Sequence, residues 1–359
     1  MSLSRRDFLA TTAVALGAGA IGRPTIATAW QQAGGRAPQA PPQWTPVFTE
    51  IRRGVGYFLG RGGTIGYLVD RNGIVAVDSQ FPDSAPVFVA GLKERSKDRP
   101  VDRLFNTHHH GDHSGGNNAF RGVAKRVVAH ERAAALIKEA AARPNAAEQL
   151  VPDATFTDVW REEIGGEWVR AKHYGRAHTG GDAVITFERA NVAHMGDLMF
   201  NRRVPVIDRT NGAIVANWVK VLEMTVADHS ADTIYIFGHA GATNPVTGSS
   251  KELLYFRDYL TALLDHTRAA VKAGQTKEQF TVTKPILKGF EDFGPHAANT
   301  LGIVWDEIVL GASCWVLSAG AGCRVHGAPG TQHYFLLSIT NTFASPGPRR
   351  TRQREPVAR

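Results

Sequence analysis

Hydrophobic residues near the start of the chain recur in three short runs, at residues 55–59, 64–69 and 74–78. Short apolar runs bounded by turn residues are typical of β-strands. The pair Asn72-Gly73 separates the last two runs, and Asn-Gly between such runs is a strong hairpin signal. The pattern therefore predicts antiparallel strands at the beginning of a sheet.

Helical patterns alternate with further strand-like runs along the rest of the chain. The predicted helices cover residues 84–96, 131–143, 217–224 and 251–270, and Pro144 ends the second of them. The further predicted strands cover residues 102–106, 168–173, 182–187, 191–195 and 233–237. Because the strands begin with hairpins and helices are interleaved with them, the order favours an α/β structure of two mixed sheets covered by helices over a parallel doubly wound sheet.

The N-terminus resembles a twin-arginine export signal over residues 1–29. Arg5 and Arg6 precede an uncharged run of small and apolar residues at 10–22, and Ala-Thr-Ala at 27–29 resembles a cleavage site. The apolar run is shorter than the roughly 18–20 residues of a membrane-spanning helix, so no stable membrane anchor is expected. We therefore expect the twin-arginine translocase as a partner during export and a periplasmic or secreted mature protein.

Composition divides the remaining chain into four segments. Residues 30–49 are rich in Gln, Ala, Gly and Pro and are predicted to form a linker. A folded domain is predicted over residues 50–270, followed by a helical C-terminal extension over residues 271–310. Residues 311–359 are first rich in Ala, Gly, Ser and Cys and then in Pro and Arg; they have no assigned role and are predicted to be poorly ordered.

The charge of the chain lies mainly at its two ends. Of the formal net charge of +8, residues 1–29 carry +2 and residues 349–359 carry +4, which leaves +2 for the rest. A nearly neutral body lacks the basic face of a nucleic-acid-binding protein. The two cysteines, Cys314 and Cys323, both lie late in the chain, so the fold does not depend on a disulfide framework.

A histidine-rich loop follows the predicted strand at residues 102–106. Within six residues it carries four potential metal ligands, which are His108, His110, Asp112 and His113. If the strand continues to its end, His108 and His110 point to the same side while His109 points away. Gly111 permits a tight turn that brings the last two ligands round to a neighbouring point.

Three further candidates stand where a predicted strand gives way to a loop, the usual place for site residues. His178 lies between two strands, Asp197 follows the strand at 191–195, and His239 follows the strand at 233–237. His194 is predicted to be buried or to support the site. Asp78 is either an orienter of the histidine loop or an ordinary strand-end residue.

This H-x-H-x-D-H pattern, with a separate His, an Asp and a final His, resembles the metallo-β-lactamase superfamily over roughly residues 50–270. The resemblance implies a four-layer αββα sandwich of two mixed sheets flanked by helices, with the metal site at one edge of the sheets. It also implies two Zn²⁺ per chain, with iron possible. By the resemblance, the first metal ion would be held by His108, His110 and His178. The second metal ion would be held by Asp112, His113 and His239, and Asp197 would bind both ions.

The implied activity is that of an exported binuclear zinc hydrolase acting on a small-molecule ester, thioester, lactone or amide through a metal-bridging hydroxide. Asp112 is the candidate catalytic residue. A β-lactamase is an alternative, although the cysteine-containing lactamases have a Cys where this chain has Asp197. A second alternative is a mononuclear iron dioxygenase of sulfur compounds such as persulfides, which shares the fold and the first three ligands. A third is a metal-binding module without catalysis.

The segment at residues 200–212 follows Asp197 directly and is rich in charge. It carries Arg202, Arg203, Asp208 and Arg209. The segment either meets an anionic group of the substrate or forms an exposed charged loop.

Overall fold

The computed structural model describes residues 44–317, with side chains described to residue 310. The predicted export signal, most of the predicted linker and most of the predicted C-terminal tail lie outside the described residues. Within the described part of the chain, no helix is long and apolar enough to cross a membrane.

The first sheet has seven strands in the order in which they occur in the chain. Strands β1 to β4 pair antiparallel, and β4 to β7 pair parallel. The predicted hairpin is confirmed, because β3 and β4 are joined by residues 70–73. The strands are β1 Val47–Arg52, β2 Val55–Leu59, β3 Ile65–Val69, β4 Ile74–Val77, β5 Arg103–Asn106, β6 Val127–His130 and β7 Ala154–Phe156.

The second sheet has six strands in the order β15-β13-β11-β10-β9-β8. Only β11 and β13 pair parallel, so this sheet is mixed as well. Two short strands, β12 and β14, form a separate parallel pair. The strands are β8 Val159–Ile164, β9 Glu167–Lys172, β10 Val184–Phe187, β11 Val192–His194, β12 Phe200–Asn201, β13 Ile234–Ile236, β14 His239–Ala240 and β15 Thr247–Gly248.

Seven α-helices complete the described part of the chain. They are α1 Ala85–Ser96, α2 Gly111–Ser114, α3 Glu131–Ala141, α4 Val215–Ala227, α5 Ser250–Lys272, α6 Lys277–Thr281 and α7 Ala298–Leu317. A complete capping box at Ser249 and Glu252 begins α5, which explains why this long helix starts where it does. The last helix, α7, continues past residue 310, where the C-terminal extension was predicted to end.

The two sheets face each other across an apolar interior, and helices cover their outer faces. Val75 and Val77 of β4 pack in one cluster with Ile185 and Phe187 of β10, so the inward residues of both sheets meet. All four residues of β4 are buried, because the outer face of its sheet is covered too. The four-layer αββα sandwich implied by the resemblance is confirmed.

The outer face of the second sheet is covered by α4, α5 and α7 in one continuous cluster. Tyr235 of β13, Trp218 of α4 and Phe256 of α5 belong to it, as do Leu301 and Trp305 of α7. The predicted C-terminal extension thus shares its apolar core with the helices beside the second sheet.

Candidate metal centre

Four segments that follow strands converge at one place. The segment after β5, which includes α2, carries His108, His110, Asp112 and His113; the segments after β9 and β11 carry His178 and Asp197, and β14, which follows β13, begins with His239. The seven predicted metal ligands thereby form two groups, and within each group the ligand atoms lie within 4.8 Å of one another. The first group holds His108, His110, His178 and Asp197; the second holds Asp112, His113 and His239.

In the first group, three histidines surround one carboxylate oxygen. His178 Nε2 lies 2.9 Å from His110 Nδ1. Asp197 Oδ2 lies 3.5 Å from His178 Nε2 and 3.8 Å from His108 Nε2. One nitrogen of each of the three rings therefore lies close to this oxygen.

In the second group, the ligand atoms lie close to the other oxygen of the same carboxylate, Asp197 Oδ1. Asp197 Oδ1 lies 2.9 Å from His113 Nε2 and 3.4 Å from His239 Nε2. Asp112 Oδ2 lies 3.1 Å from His239 Nε2 and closes the group. Each oxygen of Asp197 thus faces a different set of potential ligands.

The carboxylate of Asp78 stabilises the histidine-rich loop that follows β5. Its carboxylate accepts hydrogen bonds from the backbone N–H of Thr107 at 2.8 Å, from Thr107 Oγ1 at 2.7 Å and from His113 Nδ1 at 2.7 Å. Its backbone has a φ of +68°, in the left-handed region, where a residue other than glycine is strained by about 1–3 kcal/mol. The interpretation of Asp78 as an orienter is confirmed by these contacts.

The other rings are oriented in the same manner through their outward nitrogens. Thr107 Oγ1 lies 3.0 Å from His108 Nδ1, and the Val206 carbonyl oxygen lies 2.9 Å from His178 Nδ1. Asp208 Oδ2 lies 2.9 Å from His110 Nε2. These partners fix which nitrogen of each ring faces the site. The sequence did not indicate this role for Thr107, Val206 or Asp208, since nothing in their spacing marks them.

His109 and His194 lie outside these two groups. His109 Nε2 is 3.3 Å from Asp208 Oδ2, the carboxylate oxygen that also contacts His110. His194 is fully buried and its Nε2 lies 3.0 Å from the carbonyl oxygen of Thr64. His194 is therefore buried, as predicted, whereas His109 forms a third possible ligand group with His110 and Asp208.

Two glycines make room for ligands by having no side chain. A Cβ on Gly63 would lie 2.1 Å from the ring of His113, and a Cβ on Gly238 would lie 2.1 Å from Asp197 Oδ1. No larger residue fits at either position without displacing a ligand.

The donor set fits divalent metal ions. His108 Nε2 is buried and makes no hydrogen bond among the described residues, and such an orphaned polar atom costs about 1–3 kcal/mol. Burial lowers the pKa of His108 and of His178, so their rings are neutral and offer lone pairs. Neutral imidazoles together with carboxylates are the ligand types that zinc prefers.

The carboxylates of the site are ionised. Burial raises the pKa of Asp197, but the charges of His113 and His239 outweigh burial and hold that pKa well below its usual value. Burial lowers the pKa of His113, but the carboxylates of Asp197 and Asp78 outweigh it and hold that pKa well above its usual value. A proton therefore competes with a metal ion at His113.

A pocket of about 340 Å³ opens onto this centre, which suits a small-molecule substrate. Phe200 stacks on the ring of His239, with centroids 5.3 Å apart and planes at 21°. The lining residues are Phe81, His110, Gly111, Asp112, Asp197, Phe200, Arg203, Val206 and His239.

Comparison with known proteins places this site in a family. The chain is 24% identical over 177 residues to the metallo-β-lactamase IND-1 of Chryseobacterium indologenes, an alignment that covers 48% of this chain and 70% of that protein. It is 29% identical over 130 residues to the α subunit of 2,4-dinitroanisole O-demethylase from Nocardioides sp. (strain JS1661), covering 36% of this chain and 38% of that subunit.

Solved structures share the fold. A metallo-β-lactamase from Pontibacter korlensis superposes with a TM-score of 0.52 at 21% identity, covering 60% of this chain and 99% of that one. The stereoselective inverting sec-alkylsulfatase Pisa1 from Pseudomonas sp. superposes with a TM-score of 0.58 at 13% identity, covering 77% of this chain and 55% of that one.

The family model described as the metallo-β-lactamase superfamily matches residues 60–263, which is more than half of the chain. The matched residues contain all seven histidine and aspartate side chains of the two groups. The chain therefore belongs to the metallo-β-lactamase superfamily and is a metal-dependent hydrolase.

Proposed function

We propose that this protein is an exported binuclear zinc hydrolase that cleaves a small ester, thioester, lactone or amide. The observation that carries the proposal is the position of Asp197, whose Oδ2 faces His108 and His178 while its Oδ1 faces His113 and His239. A site for a single metal ion has no need for a carboxylate shared in this way. The arrangement therefore favours two ions over one.

The proposed ligand sets are His108, His110 and His178 for the first ion and Asp112, His113 and His239 for the second, with Asp197 contributing to both. Two zinc ions held there would supply Lewis acidity, which lowers the pKa of water toward neutrality and polarises a carbonyl oxygen. No serine, cysteine or lysine nucleophile is then required.

Asp112 has the position and the charge to take part in proton transfer. Burial raises its pKa, but its hydrogen bond with His239 and the nearby charge of His113 outweigh burial and lower that pKa. The carboxylate is therefore ionised at neutral pH. Because Asp112 lines the pocket, the carboxylate oxygen that does not hold the second metal ion could accept a proton from a reacting group.

Metal analysis tests the proposal most directly. The proposal would be supported by a content of about two zinc ions per chain in the purified protein, together with an activity that is lost on chelation and regained when zinc is added. About one iron ion per chain, with oxygen consumption in the presence of a persulfide, would instead support the dioxygenase alternative. A stable metal content without turnover of any ester, thioester, lactone or amide would support a module without catalysis.

β-Lactamase activity is the second candidate, favoured by the similarity to IND-1 over 48% of this chain. The additional negative charge of Asp197 at the metal pair favours leaving groups that are stable as anions, such as thiols, over poor amine leaving groups. We therefore expect thioesters and lactones to be cleaved faster than cephalosporins. A side-by-side assay of one compound from each class decides between them, and a cephalosporin rate higher by orders of magnitude would establish the second candidate.

Export is proposed from the N-terminal sequence alone. We propose that the mature protein begins near Trp30, after the Ala-Thr-Ala at residues 27–29, and that it reaches the periplasm or the medium through the twin-arginine translocase. Mass spectrometry of the protein from each cell fraction tests this. An intact N-terminus in the soluble cytoplasmic fraction would contradict it, and an intact N-terminus in membranes would indicate a retained anchor.

A further inference from the structure

A third group of possible metal ligands lies directly beside the first. It consists of His109, His110 and Asp208, and one ligand atom of each lies within 4.8 Å of the others. Asp208 Oδ2 lies 3.3 Å from His109 Nε2 and 2.9 Å from His110 Nε2. Ligand atoms that surround a tetrahedral zinc ion at about 2.0–2.2 Å lie about 3.3–3.5 Å from one another. Both distances from Asp208 are therefore close to those between the ligands of one zinc ion.

The ring of His109 is buried in this group with a nitrogen available to a metal ion. Its side chain is only 10% exposed, and its Nδ1 has no hydrogen-bond partner among the described residues. Its Nε2 faces Asp208, but the hydrogen bonds that this carboxylate accepts within the described part of the chain come from His110 and Asn211. The lone pair of a neutral imidazole is thus directed at a carboxylate without a hydrogen bond between them, which is an arrangement that a cation between the two groups would stabilise.

The carboxylate of Asp208 is held in place independently of the two histidines. Its Oδ1 accepts a hydrogen bond from the backbone N–H of Asn211 at 3.1 Å, and its Oδ2 accepts one from Asn211 Nδ2 at 2.8 Å. A carboxylate fixed in this way beside two imidazoles provides the mixed nitrogen and oxygen ligands that zinc binds. The group is also accessible to an ion, because 14% of the Asp208 side chain and 22% of the His110 side chain are exposed.

The third group shares His110 with the first group through the opposite nitrogen of the ring. His110 Nδ1 lies 2.9 Å from His178 Nε2, whereas His110 Nε2 faces Asp208. An ion that binds Nε2 displaces the hydrogen of this nitrogen to the solvent and leaves an imidazolate between two ions. Because two positive ions on one ring repel each other, the ion of the third group is bound more weakly than the ion of the first.

We propose that His109, Asp208 and the Nε2 of His110 bind a third zinc ion, which is taken up when zinc is in excess and lowers the activity. The binding follows from the geometry of the three side chains, whereas the inhibition rests on the proposed function. The third ion takes over the carboxylate that orients His110, and loss of such a partner costs about 10- to 100-fold in metal affinity or activity. We expect about tenfold, because the third ion itself still holds the ring of His110.

Equilibrium dialysis of the zinc-loaded, full-length protein against increasing free zinc, followed by elemental analysis, tests the binding. The wild type should rise from about two to about three ions per chain, whereas His109→Gln should remain at about two. Asp208→Asn should also remain at about two, so the test does not depend on a single variant. His266→Gln is the matched control, because it removes an exposed imidazole that belongs to none of the ligand groups of the described residues. It should take up the third ion as the wild type does.

Hydrolysis of phenyl thioacetate over the same range of free zinc, corrected for the rate without protein, tests the inhibition. The rate of the wild type should fall about tenfold as the third ion binds, and the rate of His109→Gln should not fall. A wild type that saturates at two ions, or a third ion that His109→Gln binds equally well, would overturn the third site. A third ion that leaves the rate unchanged would overturn the inhibition. If the wild type takes up the third ion and cleaves no ester, thioester, lactone or amide at any zinc concentration, the proposed hydrolase function fails, whereas the third site is supported.

Discussion

Replacing Asp78 by Asn should weaken metal binding at the second ligand group without removing a metal ligand. The carboxylate of Asp78 accepts three hydrogen bonds, two from Thr107 and one from His113 Nδ1. Asn has the same shape and tolerates the left-handed backbone of this position, but it has a single acceptor oxygen. If that oxygen accepts the backbone N–H of Thr107, an NH₂ group faces His113 Nδ1.

The consequence is a change of tautomer at His113. With an N–H donor opposite Nδ1, the ring is stabilised with its hydrogen on Nε2, the nitrogen that lies 2.9 Å from Asp197 Oδ1. A metal ion at Nε2 must displace that hydrogen. Loss of an outer partner of a metal-bound histidine costs about 10- to 100-fold in metal affinity, or about 1.4–2.7 kcal/mol. We expect the upper part of that range, since Asp78 Oδ2 serves both Thr107 Oγ1 and His113.

Zinc titration against a competing chelator measures this effect site by site. In Asp78→Asn, the site formed by the second ligand group should lose zinc affinity by close to 100-fold. The affinity of the site formed by the first ligand group should change much less. Asp102→Asn is the matched control, because Asp102 accepts a backbone hydrogen bond from Ile74 at 2.9 Å in the same sheet and contacts no imidazole among the described residues. Unchanged zinc affinity in an Asp78→Asn protein that unfolds cooperatively would refute the reasoning.

Three further outcomes are expected. Asp197→Ala should lower the zinc content from about two ions per chain toward one and His178→Ala should empty the first site preferentially, as measured by elemental analysis; unchanged stoichiometry in both would mean that the ligands are misassigned. The pKa of His113 and of His239 is raised, whereas that of His178 is lowered. Acidification should therefore release the metal ion of the second group first. A reversed order of release in a pH titration with stoichiometric zinc would contradict this. The carboxylate of Glu307 accepts hydrogen bonds from the first two backbone N–H groups of α4 at 2.8 Å each. Glu307→Ala should therefore lower the free energy of unfolding, measured by urea denaturation, by about 1–2 kcal/mol. A change within experimental error would show that this cap contributes nothing.

Local patterns were sufficient for much of the fold. The hairpin of β3 and β4, the helices α1, α3, α4 and α5, and the strands that carry the ligands were all predicted, because apolar periodicity and turn residues are encoded within a few neighbouring positions. Strands β1 and β8 were missed because they lack this signal, whereas β6 was missed although all four of its residues are buried. β1 overlaps the predicted linker, and β8 alternates exposed charged residues with partly buried ones at the edge of its sheet, where a strand needs little apolar surface.

The sequence by itself determined the chemistry of the site. The residues His108, His110, Asp112 and His113 belong to one loop, and His178, Asp197 and His239 each follow a strand, so residue type and local spacing were enough to identify them. Their division into two groups came from the resemblance to the metallo-β-lactamase superfamily, because positions at strand ends indicate only that the side chains lie near one edge of the sheets.

The tertiary structure alone decided how those ligands are held and what surrounds them. Asp78 reaches His113 and Asp208 reaches His110 only because strands and loops distant in the chain come together. The physical reason is that hydrogen bonds require positions accurate to a few tenths of an ångström. Packing of the two sheets sets such positions, whereas the hydrophobic pattern of the sequence determines only which face of each strand is buried.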